Sequence, residues 1–343
     1  MTISLILTTL LLTIGFIFAL RPLAIKIGFF DHPDERKQHT NPTPPIGGLA
    51  IFLGCLLPLS LFDIHLPQNY AFIGAISLLV LVGLIDDHRT LTVKTRLSAQ
   101  IIAALIMTEL ADVRITELGD LVGTGTIHLG KYSTLMTIFA VVGGINAFNM
   151  IDGIDGLSSS SALLSIGIMT ILAAFFGNDS ILNLGLIFIG ALSAFLCFNL
   201  RAFGRKKAAI FLGDSGSTLV GFVVCWLIIK GSQGQNTLIS PTLVLWVIAL
   251  PLFDSICIMM RRLHKGKSPF APDREHLHHL LPMKGFSVNE TLIIILTLST
   301  ILSFTAIIAS LFFNISDKIL FATFLLCFCL FYGFMHKTIN ADN

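Results

Sequence analysis

Long apolar runs broken by short polar clusters follow one another from end to end of this chain. A membrane helix needs about 20 apolar residues, with a range of about 17–25. Runs near that length occupy 3–20, 46–62, 71–85, 97–111, 133–149, 157–176, 181–198, 211–229, 238–258, 291–312 and 319–335. Eleven such segments predict an all-α polytopic membrane protein with its termini on opposite sides. The third and fourth are short for the hydrocarbon core, which fits a surface that dips into the membrane. Segment 112–132 departs from the pattern: its alternating patches V-R-I-T and T-I-H-L predict a small hairpin. With no internal repeat, linker or low-complexity stretch, residues 1–343 read as one membrane domain.

Composition agrees. The chain is 54% hydrophobic and 12% charged, against roughly 25% charged in soluble domains. A net charge of +2, with no basic stripe interleaved with aromatics, argues against a nucleic-acid partner. The six cysteines all fall inside apolar runs without zinc-ligand spacing, so they read as small packing residues. The first run lacks a basic leader and a small-residue cleavage site, and is expected to be a retained span.

Lysine and arginine set the orientation. Of 22 such residues, 18 fall on one side of the eleven-span arrangement; Arg114, Lys131, Lys230 and Lys318 fall on the other. The positive-inside rule makes the crowded side cytoplasmic, with the N-terminus outside and the C-terminus inside. The cytoplasmic loops 21–45, 86–96, 149–156, 199–214 and 259–290 also carry the polar clusters. That concentration argues against a secondary transporter, whose ionisable groups sit near the midplane between repeats. The deepest carboxylate is Asp254, close before Arg261 and Arg262.

Five clusters are candidates for chemistry. Asp86 and Asp87 close the third span; adjacent carboxylates repel and need a cation, whether Mg²⁺, Lys94, Arg89 or Arg96. The stretch N-A-F-N-M-I-D-G-I-D-G-L sets Asn146, Asn149, Asp152 and Asp155 beside hydrocarbon, where uncompensated polar groups are expensive. Helix capping accounts for one or two of the four, not for all. In F-L-G-D-S-G-S, Asp214 stands between glycines at a helix start, suited to Mg²⁺, while free N–H groups there favour phosphate. The loop R-R-L-H-K-G-K-S-P-F-A-P-D-R-E-H-L-H-H gathers Arg261, Arg262, Arg274, His276, His278 and His279, a cradle for phosphate oxygens. Leu277, Leu280 and Leu281 make its end amphipathic, expected to lie on the bilayer. A weaker cluster, Asp31, Asp34, Arg36, Lys37 and His39, sits in a proline-rich loop. No H-E-x-x-H metalloprotease signature occurs. Carboxylates for divalent ions and Arg/His for phosphate, at one membrane face, are the equipment for phosphoryl transfer to a lipid.

In their order, D-D, N-x-x-N-M-I-D-G-I-D-G-L, F-L-G-D-S-G-S and P-D-R-E-H-L-H-H resemble the polyprenyl-phosphate N-acetylhexosamine-1-phosphate transferases, over nearly the whole chain. The last motif is similar to the branch moving GlcNAc-1-phosphate from UDP-GlcNAc to undecaprenyl phosphate, which starts O-antigen and related envelope polysaccharides. Another UDP-N-acetylhexosamine or UDP-MurNAc-pentapeptide is the alternative donor. The resemblance implies Mg²⁺, replaceable by Mn²⁺, on Asp214 and Asp87, and catalytic roles for Asp86, Asp87 and Asp155. It implies substrate contacts from Lys94, Asn149, Asp152, Arg261, Arg274, His276, His278 and His279. It also implies a multi-pass protein of the bacterial inner membrane, its site facing the cytoplasm, with homodimerisation open to it.

Overall fold

The structure, a computed structural model, describes residues 2–30, 43–61, 69–202, 204–269 and 273–341. The weaker cluster at Asp31, Asp34, Arg36, Lys37 and His39 lies outside the described residues. Thirteen α-helices follow one another among the described residues: α1 (Thr2–Ile27), α2 (Gly47–Leu61), α3 (Asn69–His88), α4 (Val93–Leu105), α5 (Ser133–Met150), α6 (Leu157–Phe176), α7 (Asp179–Asn199), α8 (Gly213–Ser232), α9 (Pro241–Val247), α10 (Ala249–His264), α11 (Leu277–Met283), α12 (Val288–Phe313) and α13 (Asp317–Ala341).

Each of the eleven expected segments lies on helix, but they are not eleven equal rods. Eight helices are long and apolar enough to cross a membrane: α1, α3, α5, α6, α7, α8, α12 and α13. Helix α2 has 15 residues and α4 has 13, the latter followed by a five-residue π turn. The expected ninth span is broken: α9 and α10 meet at 80°. Among the described residues, eight helices, or nine with the bent pair, are thus long and apolar enough to cross, where the apolar runs suggested eleven.

The break has a local cause and a local remedy. Ile248 leaves helical geometry (φ −118°, ψ 24°), and Pro251 has no N–H to offer the preceding turn. Freed carbonyls are intolerable in hydrocarbon unless another group bonds them. Ser165 Oγ donates to the Val247 carbonyl at 3.1 Å, and Ser303 Oγ donates to that of Trp246 at 2.9 Å. Serines on α6 and α12 thus hold the bend from both sides.

Helix α8 is the axis of the bundle, packed by α2, α3, α5 and α6. Its neighbours approach so closely because they meet it through glycine. A Cβ on Gly48 of α2 would lie 2.2 Å from the Gly216 nitrogen, and one on Gly83 of α3 would lie 2.3 Å from Ser215 Cα. Both contacts fall on the first turns of α8, so α2 and α3 converge on the G-D-S-G-S segment. The bundle's periphery reads differently. Along α1, Leu5, Thr9, Thr13 and Ile17 are buried while Ile3, Leu7, Leu11 and Phe18 are exposed. Isoleucine, leucine and phenylalanine outside and threonine inside is the order for a helix facing lipid. The chain is a multi-pass membrane protein.

The expected hairpin at 112–132 pairs without becoming strand. Leu118 N–H donates to the Ile127 carbonyl at 3.0 Å and Leu129 N–H to that of Thr116 at 2.9 Å. The Gln233 side chain, just past α8, accepts from the Thr116 and Glu117 N–H groups at 2.9 and 3.1 Å. One amide thereby ties the loop to the end of the central helix opposite Asp214.

Candidate active site

The site is built on the N-terminus of α8, whose first N–H groups have no partner in their own helix. Asp87, at the end of α3, supplies it from outside. Its Oδ1 accepts from the Asp214 N–H at 2.6 Å; its Oδ2 accepts from the Ser215 N–H at 3.2 Å and Ser215 Oγ at 2.9 Å. Gly213 turns into the helix at φ +76°, a region open to glycine. A Cβ there would also lie 2.6 Å from Asp87 Oδ2. The glycine before Asp214 therefore lets the carboxylate of α3 reach the helix end.

Asp86, one residue earlier, points elsewhere. Its Oδ1 accepts from the Leu91 N–H at 2.6 Å, and its Oδ2 lies 3.4 Å from Arg96 Nη1 on α4. That Oδ2 is buried and accepts no hydrogen bond. It lines a cavity of about 320 Å³ together with Asp214, Asn149, Arg96, Arg262, Asp273, His276, His278 and His279. Asn149 Nδ2 donates to Asp214 Oδ1 at 2.7 Å and to Ser217 Oγ at 2.9 Å, fixing the direction of the Asp214 carboxylate. Asn146 Nδ2 similarly holds Gln100 on α4, at 2.7 Å. Apolar side chains of the same helices, Leu79 and Val82 of α3 and Val93 and Leu97 of α4, also line the cavity.

The histidine loop closes the cavity. The 80° bend aims α10 so that its last turn meets this loop. Arg262 Nε pairs with Asp273 Oδ2 at 2.5 Å, and its Nη1 donates to the Pro269 carbonyl at 2.5 Å. The His278 and His279 rings lie 4.2 Å apart, and His278 is 2% exposed. Burial first, then the His279 and His276 charges, pushes the His278 pKa well down; burial, His276 and Arg274 lower that of His279. Burial thus disfavours the charged imidazolium at both positions, and Arg96 and Arg262 bring guanidinium groups to the cavity. Despite their burial, Arg262 holds Asp273, and Lys265 with Arg261 holds Glu275, below the usual carboxylate range.

A depressed histidine pKa stabilises the packed loop above the unfolded value, near 6.5. The contribution is lost as pH falls through the lower folded value. Hydrogen exchange of residues 276–283 should accordingly accelerate below about pH 6, ahead of the transmembrane helices.

Asp254, His276 and His278 bring three candidate ligand atoms within 4.8 Å of one another. Yet Asp254 Oδ2 and His276 Nδ1 are 2.6 Å apart, a hydrogen-bond separation. Ligand atoms of a tetrahedral zinc site, with bonds of about 2.0–2.1 Å, stand roughly 3.3 Å apart. The trio is a hydrogen-bonded pair with a stacked ring, not a zinc cage.

Several expected site residues sit elsewhere. Arg261 turns away from the cavity to Glu275 (2.9 Å), His336 (2.9 Å) and Asn340 (3.4 Å), tying α10 to α13. Its neighbour Arg262 takes the place at the cavity. Lys94 is exposed on the first turn of α4, and Arg96 on the same helix pairs with Asp86 instead. Asp155 is held by Arg201 Nε at 2.6 Å and is not among the cavity-lining residues, nor are Asp152 and the exposed Arg274. Arg201 in turn offers its carbonyl to Asn289 at 3.0 Å, so Asp155 braces the loops before α6, α8 and α12. Helix α11 does not lie on a bilayer: Leu277 and Leu280 are buried in the protein core. Its apolar face found α12 and the interior rather than lipid.

Between the two aspartates, Gly153 does line the cavity, and a Cβ on it would fall 2.0 Å from His278 Nε2. Gly153→Ala should displace the histidine helix. Faster hydrogen exchange across residues 276–283, with the melting temperature of the bundle nearly unchanged, is the expected result.

The sequence of this chain matches the family model described as glycosyl transferase family 4 over residues 69–232, the stretch from α3 through α8. It is 37% identical over 335 residues to the undecaprenyl-phosphate alpha-N-acetylglucosaminyl 1-phosphate transferase of Salmonella typhi, covering 98% of this chain and 91% of the relative. The protein of the same name from Yersinia pestis is 37% identical over 327 residues, covering 95% and 89%. That from Pasteurella multocida is 38% identical over 339 residues, covering 96% and 92%. At such identity over nearly the full length of both partners, the chain belongs to glycosyl transferase family 4.

Proposed function

We propose that this chain transfers GlcNAc-1-phosphate from UDP-GlcNAc to undecaprenyl phosphate, releasing UMP, at the cytoplasmic face of a bacterial inner membrane. The product would begin an envelope polysaccharide such as O-antigen. The observation that carries the reading is the mixed lining of the cavity: Asp86, Asp214, Arg96 and Arg262 together with four apolar side chains of α3 and α4. A phosphate that arrives on a polyprenyl chain needs both. With α2, α4 and the bent α9–α10 pair counted as crossings, the spans number eleven, and the positive-inside rule then assigns the arginine-rich loops to the cytoplasmic side.

The donor set fits Mg²⁺, with Mn²⁺ as its substitute. Such hard ions are held by one or two carboxylates plus substrate phosphates and water. Asp214 and the Asp86 oxygen that accepts no hydrogen bond and faces only Arg96 meet that requirement, and their carboxylates lie close enough to repel one another when no cation intervenes. Asp87 fits poorly, since both of its oxygens already serve α8. When bound, the ion would neutralise charge on the diphosphate and on the incoming phosphate.

The residues of the chain then divide the remaining work. Arg96 and Arg262 would draw two anionic substrates into one cavity. Asn149 keeps Asp214 aimed at it. A lipid phosphate oxygen attacks the sugar-bearing phosphorus of UDP-GlcNAc; the bond from that phosphorus to the bridging oxygen breaks, and UMP leaves with the oxygen. The second pKa of a phosphate monoester is about 6, so the acceptor is mostly dianionic at neutral pH and a general base gains little. Charge neutralisation therefore outweighs proton abstraction.

Purified protein incubated with Mg²⁺, undecaprenyl phosphate and a panel of UDP-sugars tests this. UMP release is expected with UDP-GlcNAc, and only when the lipid and the divalent ion are both present. No UMP from any sugar would sink the reading. A sugar phosphate trapped on Asp86 without lipid would replace direct attack by a covalent intermediate.

A further inference from the structure

Asp254 is the one carboxylate buried inside the bent span, 3% exposed, and neither substrate handling nor metal binding has used it. Its two oxygens are both committed to the histidine loop. Oδ2 lies 2.6 Å from His276 Nδ1, and Oδ1 accepts the Leu277 N–H at 2.9 Å. The other ring nitrogen of His276, Nε2, lies 3.3 Å from Arg262 Nη2.

The chemistry of these partners fixes the proton. A carboxylate can only accept and a guanidinium can only donate. His276 must therefore carry its hydrogen on Nδ1, facing Asp254, and present the Nε2 lone pair to Arg262. The ring becomes a rigid coupler between a carboxylate within the bundle and the guanidinium at the cavity. Asp273, on the far side, bonds Arg262 Nε. It stands 4.0 Å from His276 Nε2, too far to take over that nitrogen.

We propose that Asp254 is a positioning residue for phosphoryl transfer: it locks the His276 tautomer, through it orients Arg262 at the cavity, and caps α11 at the same time. The proposal rests on the cavity being the transfer site. It gives the bend between α9 and α10 a purpose, since α10 carries both ends of the relay, Asp254 and Arg262. It also explains a buried charge in a membrane protein, which is costly unless fully bonded. Asp254 reaches His276 and the Leu277 N–H, and through the ring the guanidinium.

Asp254→Asn tests the relay because it keeps shape and removes one acceptor. The new amide can still accept the Leu277 N–H, but its NH₂ faces His276 Nδ1. The ring must then move its hydrogen to Nε2, donor against donor with Arg262. The expected result is a fall in kcat of about 100-fold, with the UDP-GlcNAc KM changed by less than about threefold. The melting temperature should stay within a few degrees of wild type. Asp254→Asn combined with Arg262→Lys should be no slower than Arg262→Lys alone, because the two act as one unit. Multiplicative losses in the double variant would overturn the proposal, as would a fully active Asp254→Asn. A wild-type chain that releases no UMP would instead defeat the transfer reading on which it rests.

Discussion

Asp214→Asn should reduce UMP release by at least about 1,000-fold while leaving the fold in place. The asparagine side chain still offers an oxygen to Asn149, whose present bond to Asp214 Oδ1 is 2.7 Å. The backbone N–H of residue 214 keeps its bond to Asp87, so the start of α8 is undisturbed. What disappears is one of the negative charges facing the cavity, and with it the means of holding a divalent ion against a diphosphate. Because that charge repels Asp86, its removal should leave the melting temperature equal or slightly higher. Loss of activity with retained stability would mark a residue whose charge is functional. Turnover above a tenth of wild type, at saturating Mg²⁺, would remove Asp214 from the ion-binding set.

The same motif illustrates what a one-dimensional reading can and cannot recover. The all-helical membrane class, the small paired loop and the place of Asp86 and Asp214 among the polar groups of one site were legible, because composition, periodicity and the cost of charge near hydrocarbon act locally. The packing duty of G-D-S-G-S was not, because its reason lies on other helices, in Gly48 and Gly83 meeting Ser215 and Gly216. Adjacent arginines on one helix point about 100° apart; which of Arg261 and Arg262 faces the cavity was decided by the return path of the loop to Asp273. Helix α11 shows the reverse error. Its amphipathicity was read correctly, but an apolar face says only that it will be buried, not whether lipid or protein will cover it. The break at Ile248 had a visible signal in Pro251, masked by an otherwise continuous apolar run. Asp155 carried a signal with two readings: an aspartate beside a glycine in a costly location serves a brace to Arg201 as well as it serves catalysis, and the structure shows the brace.

Asp86 and Asp87 should part company under the same substitution. In Asp86→Asn the new side-chain oxygen can still accept the Leu91 N–H, now bonded at 2.6 Å, and the second oxygen has no hydrogen bond to lose. Stability should hold, and turnover should fall about 100- to 1,000-fold with a raised Mg²⁺ requirement. In Asp87→Asn one of the two capping oxygens becomes an NH₂ group set against the Ser215 N–H or that of Asp214. A lost cap with donors facing one another should cost about 1–3 kcal/mol. It should appear as a melting temperature lowered by several degrees in detergent, with activity lost because Asp214 is no longer placed. Scanning fluorimetry and UMP release on the two variants, each titrated with Mg²⁺, separate the roles. A stable, inactive Asp87→Asn whose activity returns at high Mg²⁺, beside a destabilised Asp86→Asn, would exchange the assignments and make Asp87 the ion ligand. The geometry opposes that exchange: a carboxylate with both oxygens bonded to a helix end has little left to offer an ion, whereas the Asp86 oxygen in the cavity has no other partner than Arg96.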